Sequence, residues 1–579
     1  MSKVKTVKGP WLVEENISLK QLVIHPGAEI TAPPGKKLTM TIGGVPMDMR
    51  PGRYTGDILI TVSEEIPIEF YMGEPVKLRA AVCLENRSYV PHKSVPAAVR
   101  SGSVGGEVAK DISIVSKAEG LTGIYVGGDG EYVIENARID LEGDGGNDFV
   151  GYGAGVGAYG NVKLTVNNSE ITVRGVARNA VFSGGYSEIT LNNVTVRAYE
   201  GVLPHDYQDT IIPGQMKCVP WMLGLRGNCR ATNLADYSTA RWNNCKLYSE
   251  GWGVMSTDAV DVCRMYVKDS HIEITDNSGY GAFSIGDCHD YFDNCTFKVP
   301  DYALIMANDN ACGTFDNGCV IESGRFGVMC FNNTGKLFIN NSTFNTQKTT
   351  VLVKGCAPQI NMDGAKLNPG NGKILQFFNS DDPGNPQGYY IDPVEEDKPD
   401  PSHDTASCRE GIDVIAKFSN MEIAGDFYNG YTVVKGDTGP PMEMPPMPPM
   451  GGEPPGDPPA PPYEGARNLC LSFLNTKVEG IISASKSRHR VEKVSQDNCE
   501  ELGEITDTPC EAINNGVNVS MDASSKWTVT GTSYITCLEL AEGAQVTAPK
   551  GKSLKMTVDG VETPIKAGSY KGKITLLVE

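Results

Sequence analysis

The chain has 579 residues, with 65 Gly, 36 Pro and only 8% aromatic side chains. Each mid-helix Gly costs roughly 1 kcal/mol and each Pro about 3, so a bundle of long helices is excluded. With 51 basic against 71 acidic residues the net charge is -20, a field that repels nucleic-acid phosphates and anionic membranes. No apolar run approaches the roughly 20 residues of a membrane span, and the first twenty residues lack the apolar core of a signal peptide, so the expected compartment is the cytoplasm. Sixteen cysteines without a CxxC pair or a Cys/His cluster read as reduced thiols.

From the N-terminus, residues 1–65 are a β-rich module, and residues 66–480 carry an internal repeat. Two polar residues followed by a short alternating strand recur as NNSEITV at Asn167, NNVTVRA at Asn192, NNCKLYS at Asn243, KDSHIEI at Lys268, DNCTFKV at Asp293, DNGCVIE at Asp316 and NNSTFNT at Asn340. Successive spacings are 25, 51, 25, 25, 23 and 24, so one interval holds a poorly marked turn or an insertion. About 24 residues per unit with three short strands suits an all-β solenoid, a right-handed parallel β-helix whose strands stack about 4.8 Å apart. Asn at the turns tolerates left-handed backbone angles. Cys288 with Cys312, and Cys295 with Cys319, are 24 apart and read as stacked core side chains.

Three segments break the register: 199–223, the acidic 381–407, and the Pro/Met-rich 440–462. Residues 481–579 end the chain, and within them 527–578 align without gaps to 11–62 with 20 identities in 52. A related module at each end reads as a pair of caps on exposed strand edges. Pairing between subunits is the second use, and a homo-oligomer stays open.

Three aspartates, Asp258, Asp287 and Asp309, follow comparable strands and are expected on one edge. Such a ladder suits acid/base work or a divalent cation such as calcium, or it is simply a polar turn. His205-Asp206-Tyr207 in the first insertion is matched by His289-Asp290-Tyr291 beside Asp287, although the chain has only seven His. A His held by a carboxylate and flanked by Tyr offers a base and an acid of different pKa. Arg226, Arg230 and Arg241 can neutralise a substrate carboxylate or enolate, and Trp221, Trp242 and Tyr291 can wall a pocket.

On these residues the repeat resembles the pectate-lyase-like β-helix superfamily over about residues 110–480. Leu203-Pro204-His205-Asp206 is similar to the Asp-Pro-His-Asp/Glu motif of alginate C5-epimerases, with Leu in place of the first Asp, and implies proton exchange by His205 and Asp206. Ser256-Thr257-Asp258 with Asp261 is similar to a polygalacturonase phrase, whose downstream Gly-His-Gly is here Gly279-Tyr280-Gly281. Residues 527–548 resemble stem segments of bacterial adhesins. The expected function is acid/base chemistry of lyase, epimerase or isomerase type on a saccharide, uronate or small cyclic carbonyl compound. A non-catalytic adhesin-like or carbohydrate-binding protein is the rival, and a hydrolase with paired aspartates a third.

Overall fold

A computed structural model describes residues 4–33, 36–64, 68–71, 74–77, 79–210, 215–258, 262–378, 380–381, 399–432, 468–491 and 494–579. The 440–462 segment, residues 382–398 of the acidic insertion and Asp261 lie outside the described residues.

The fold is all-β, 57% strand and 3% helix, and its strands stack in long parallel sheets as in a solenoid. Each rung contributes three strands. Row A is a 15-stranded sheet that includes Arg230–Leu234, Gly253–Asp258, Tyr280–Ile285, Tyr302–Asp309, Phe326–Asn333, Val351–Lys354 and Lys373–Phe378. Row B includes Glu188–Asn192, Thr239–Asn243, Arg264–Lys268 and His289–Asp293; row C includes Glu170–Arg174, Thr195–Tyr199, Lys246–Ser249 and His271–Ile274. Rows B and C share a 27-stranded sheet.

Alternation explains the core. In Glu188–Asn192 the inward residues are Ile189 and Leu191, and the same parity puts Ala240 and Trp242 inside on the next rung. Trp242, expected to wall a pocket, is instead a fully buried core side chain. Parity also splits the second His-Asp-Tyr triplet: Asp290 points into the core while His289 and Tyr291 face out.

The repeated polar pair is a tight turn between rows B and C. Its second residue takes a left-handed conformation at Asn168, Asn193, Asn244, Asp269, Asn294, Asn317 and Asn341, with φ between 45° and 55°. The amides then bond along the stack: Asn193 Nδ2 donates to Asn168 Oδ1 at 3.1 Å, and Asn244 Nδ2 to Asn193 Oδ1 at 2.7 Å. Glu188 pairs directly with Thr239, so the 51-residue interval is a single rung carrying an insertion.

Two expectations for cysteine are corrected. Cys295 does stack on Cys319, whose Sγ accepts the Cys295 N–H at 3.3 Å. Cys312, however, pairs in register with His289 and so faces outward, not under Cys288. Cys408 and Cys470 form a disulfide, where reduced thiols were expected, and the remaining cysteines form no other disulfide among the described residues.

The two related end modules share one strand register. Ile17 pairs with Ile60 as Ser533 pairs with Leu576, and Leu22 with Tyr54 as Leu538 with Tyr570. The N-terminal copy has its own core around Leu22, Met40 and Ile60. The C-terminal copy is joined to the stack, because Asn518–Met521 pairs with Cys537–Leu540. No helix among the described residues is long and apolar enough to cross a membrane.

Replacing Asn193 with Ala forces an L-residue with no polar side chain into the left-handed region, which costs roughly 1–2 kcal/mol, and removes two amide hydrogen bonds. The melting temperature is expected to fall for Asn193→Ala and to recover part of that loss in Asn193→Gly.

A candidate site beneath two straps

The outer face of row A is built by three ladders in register. One runs Arg230, Gly253, Tyr280, Tyr302, Phe326; the next Asn233, Ser256, Phe283, Ile305, Met329, Leu352, Gln376; the third Asp258, Ile285, Ala307, Phe331, Lys354, Phe378. The middle of this face is apolar and its two ends are polar. Tyr280, Phe283, Tyr302, Ile305, Phe326 and Met329 form a second buried cluster outside the main core.

Two straps cover that cluster. The first, residues 200–210 and 215–229, enters at the turn before row A and contributes Met216, Val219 and Leu225; the second, residues 494–504, follows the last row A strand and leads into the antiparallel edge strand Ile505–Pro509, whose Ile505 joins the cluster. They meet over the sheet, where Arg226 Nη2 donates to the carbonyls of Gln496 at 3.1 Å and Asp497 at 2.8 Å. Arg325 fastens both: it bonds the carbonyls of Gly224 at 3.1 Å and Leu502 at 2.7 Å while pairing with Asp301 at 3.1 Å. Burial works against its charge, but Tyr302, Asp301 and Glu504 outweigh burial and hold the guanidinium charged.

At the first polar end Arg230 is 2% exposed. Its Nε donates to Asp148 Oδ2 at 2.7 Å, its Nη1 pairs with Asp258, and its guanidinium lies 4.7 Å from the ring centres of both Phe149 and Trp252. The Asn179 amide donates to the Arg230 carbonyl at 3.2 Å, and the Asn233 amide to the Asp148 carbonyl at 3.2 Å. Four polar atoms of this network have no hydrogen-bond partner among the described residues: Asn147 Nδ2, Asp148 Oδ1, Asn179 Oδ1 and Arg230 Nη2.

At the other end Lys354 Nζ lies 2.7 Å from Asp381 Oδ1, and His489 Nε2 lies 3.3 Å from Asp381 Oδ2. Burial pushes the Asp381 carboxyl up, but Lys354 and His489 together outweigh it and hold it well below the usual range. Beside them Lys373 pairs with Asp507 at 2.7 Å, and Ser485 Oγ donates to the same carboxylate at 3.2 Å.

Of the residues expected from sequence, the structure brings together Arg230 and Asp258, with Arg226 on the strap nearby. His205 is not part of this set. Its side chain is 97% exposed, 4.0 Å from Asp206, at the outer part of the first strap. Tyr207 accepts the Lys217 N–H at 3.0 Å, and burial pushes its phenol up to about 12. Trp221 lies half-buried in the same strap.

The aspartates do not form one straight ladder. Asp258 pairs with Ile285 and Ile285 with Ala307, so Asp287, just past the end of its strand, and Asp309 sit two positions further along the chain. Asp287 is exposed and accepts from Asn310 at 3.0 Å; the Asp309 side chain lies outside the described residues. His289 stacks on Tyr291 with ring centres 3.7 Å apart, and burial, with Arg264 adding to it, pushes it down to about 4. Asp290, sealed in the core, is pushed well above the usual carboxylate range by burial. Arg241 lies over Tyr266 on the outside of row B, away from the covered face. Among the described residues no three His, Cys, Asp or Glu side chains group so as to hold a metal ion.

Asp148, Asn147, Asn179, Lys354, Asp381 and His489 escape sequence reasoning. Asp148 and Asn147 sit in a Gly-rich loop with no strand parity, and the strap partners are far apart in the chain. Against known proteins, the chain matches no family model, no curated relative and no solved structure.

Arg325→Met leaves Asp301 buried without its cation, while Glu504 keeps Lys348 at 3.0 Å, a loss of about 3–5 kcal/mol. Hydrogen exchange is expected to speed up across 216–229 and 494–505 in that variant. His205→Ala is expected to leave the melting temperature within about a degree, since exposed substitutions shift stability by no more than roughly 0.5 kcal/mol.

Proposed function

We propose that the chain is a right-handed parallel β-helix of the pectate-lyase-like kind that binds a saccharide-type polyol beneath its first strap, at the Asp148–Arg230–Asp258 end of row A. The observation that carries this reading is four buried side-chain atoms, on Asn147, Asp148, Asn179 and Arg230, with no hydrogen-bond partner among the described residues. Buried polar groups are normally satisfied, and each one left open costs about 1–3 kcal/mol. Two of the four are donors, Asn147 Nδ2 and Arg230 Nη2, and two are acceptors, Asp148 Oδ1 and Asn179 Oδ1. A ligand whose hydroxyls both donate and accept answers that pattern, and the Phe149 and Trp252 rings supply apolar walls.

The local charge favours a neutral sugar over a uronate, because one Arg already faces two carboxylates. Met216 and Val219 of the strap pack in the same cluster as Phe149 and Trp252, which makes the strap the cover of the site. The Cys408–Cys470 bridge favours an oxidising compartment over the cytoplasm.

Acid/base turnover of isomerase, epimerase or lyase type is the second reading. It is favoured by Asp148 Oδ1, an acceptor on a carboxylate whose other oxygen is already engaged by Arg230, open to take a proton from a bound ring.

Titration calorimetry of the full chain against neutral and uronic oligosaccharides tests the proposal. Binding of a neutral saccharide that weakens at least tenfold in Asn147→Ala and in Asn179→Ala is expected. Absence of binding to any saccharide, or binding indifferent to both substitutions, would overturn it. Solvent deuterium entering a carbon-bound position of the bound sugar would establish the acid/base reading.

A further inference from the structure

At the far end of the covered face, Lys354, Asp381 and His489 are 2%, 0% and 4% exposed, and they meet in one place. Lys354 stands in register between Phe331 and Phe378 on the neighbouring rungs. The Asp381 carboxyl is fixed from two sides: Oδ1 faces Lys354 Nζ at 2.7 Å, and Oδ2 accepts the Gly503 N–H of the second strap at 2.7 Å. His489 Nε2 lies 3.3 Å from Oδ2, and neither of its ring nitrogens has a hydrogen-bond partner among the described residues.

An ion pair with so little water around it carries a desolvation penalty of several kcal/mol per ion. Lys354 and His489 favour the ionised carboxyl, and moving the proton from Nζ to Oδ1 removes both charges and leaves, as a minor state, a neutral amine against a carboxylic acid. Two groups that ordinarily react only when activated are then held in contact, dry and oriented.

We infer that Lys354 and Asp381 are joined by an intramolecular isopeptide bond that the folded chain forms by itself, with His489 beside the carboxyl oxygen that takes up the charge. The Nζ lone pair attacks Asp381 Cγ, and the C=O electron pair moves onto Oδ2, where the Gly503 N–H stabilises it. A proton passes from Nζ to the Oδ1 hydroxyl, the two atoms being 2.7 Å apart, while His489 Nε2, 3.3 Å from Oδ2, steadies the oxyanion. Collapse of the tetrahedral centre re-forms C=O, breaks Cγ–Oδ1 and releases water. The ammonium and carboxylate become one amide and one water, with no change in oxidation state and no co-reactant.

The link has a structural use. The chain leaves row A at Phe378 for a long excursion and resumes in row B at Val414. Lys354 belongs to the preceding rung, so the amide pins the root of that excursion to its neighbour. The Cys408–Cys470 disulfide pins its return.

The test is the intact mass of the folded, disulfide-reduced full-length chain, followed by peptide mapping. The expected result is a mass lower by one water and a branched peptide containing Lys354 and Asp381, both absent in Asp381→Ala and Lys354→Met. His489→Ala is expected to give a mixture that matures slowly. The full linear mass, or a water loss confined to a linear peptide around Asp381, would overturn the inference. The wild-type mass and its peptide map decide the question by themselves, so a variant that fails to fold leaves the test intact.

Discussion

Register between stacked strands is the constraint on which the rest depends. Every rung must place the same parity inward, or its apolar side chains go to solvent and the stack fails. The left-handed residue at each B–C turn lets the chain change direction in two residues, and the amide ladder fixes each turn over the last. With that register imposed, a side chain's fate follows from its position. Trp242 is core, His289 is surface, and Asp290 is forced inside despite its carboxyl.

The same register explains why row A can carry function. Its outer face changes from polar to apolar and back to polar along the stack, and the apolar middle would be a large exposed patch without cover. Two straps, entering from opposite edges of the row, cover it and lock to each other through Arg226 and Arg325. The cover also seals both polar ends, so the charges there must pair or find a ligand. At Arg325 they pair with backbone carbonyls and carboxylates. Around Arg230 four atoms remain open, and at Lys354 the pairing is so dry that neutral chemistry competes with it.

Much of the fold was legible in the residues. The Asn-led phrase marked the turns, the 24-residue interval marked the rung, and the self-alignment of 11–62 with 527–578 carried through to identical strand pairing. The candidate site was legible only in part. Arg230 and Asp258 stood out as chemistry-bearing residues on adjacent rungs. Aligning Asp258 with Asp287 and Asp309 failed because Asp258 stands opposite Ile285, which leaves the later aspartates two positions further along. The second His-Asp-Tyr triplet misled because a tripeptide match ignores parity: in a strand, neighbours face opposite sides and cannot form a dyad. The first lies in the strap outside any strand, with His205 in solvent. The strap contacts were not legible at all, since nothing local in 216–225 and 494–505 announces that the two segments meet.

The central claim is that the covered end of row A is a polar site and not a closed core. An experimental density map of the intact chain, at a resolution that shows ordered solvent, tests this most directly. Non-protein density, water or a bound polyol, is expected to bridge Asn147 Nδ2, Asp148 Oδ1, Asn179 Oδ1 and Arg230 Nη2 beneath the first strap. Those four atoms bonded directly to protein groups, with no space between them, would contradict it.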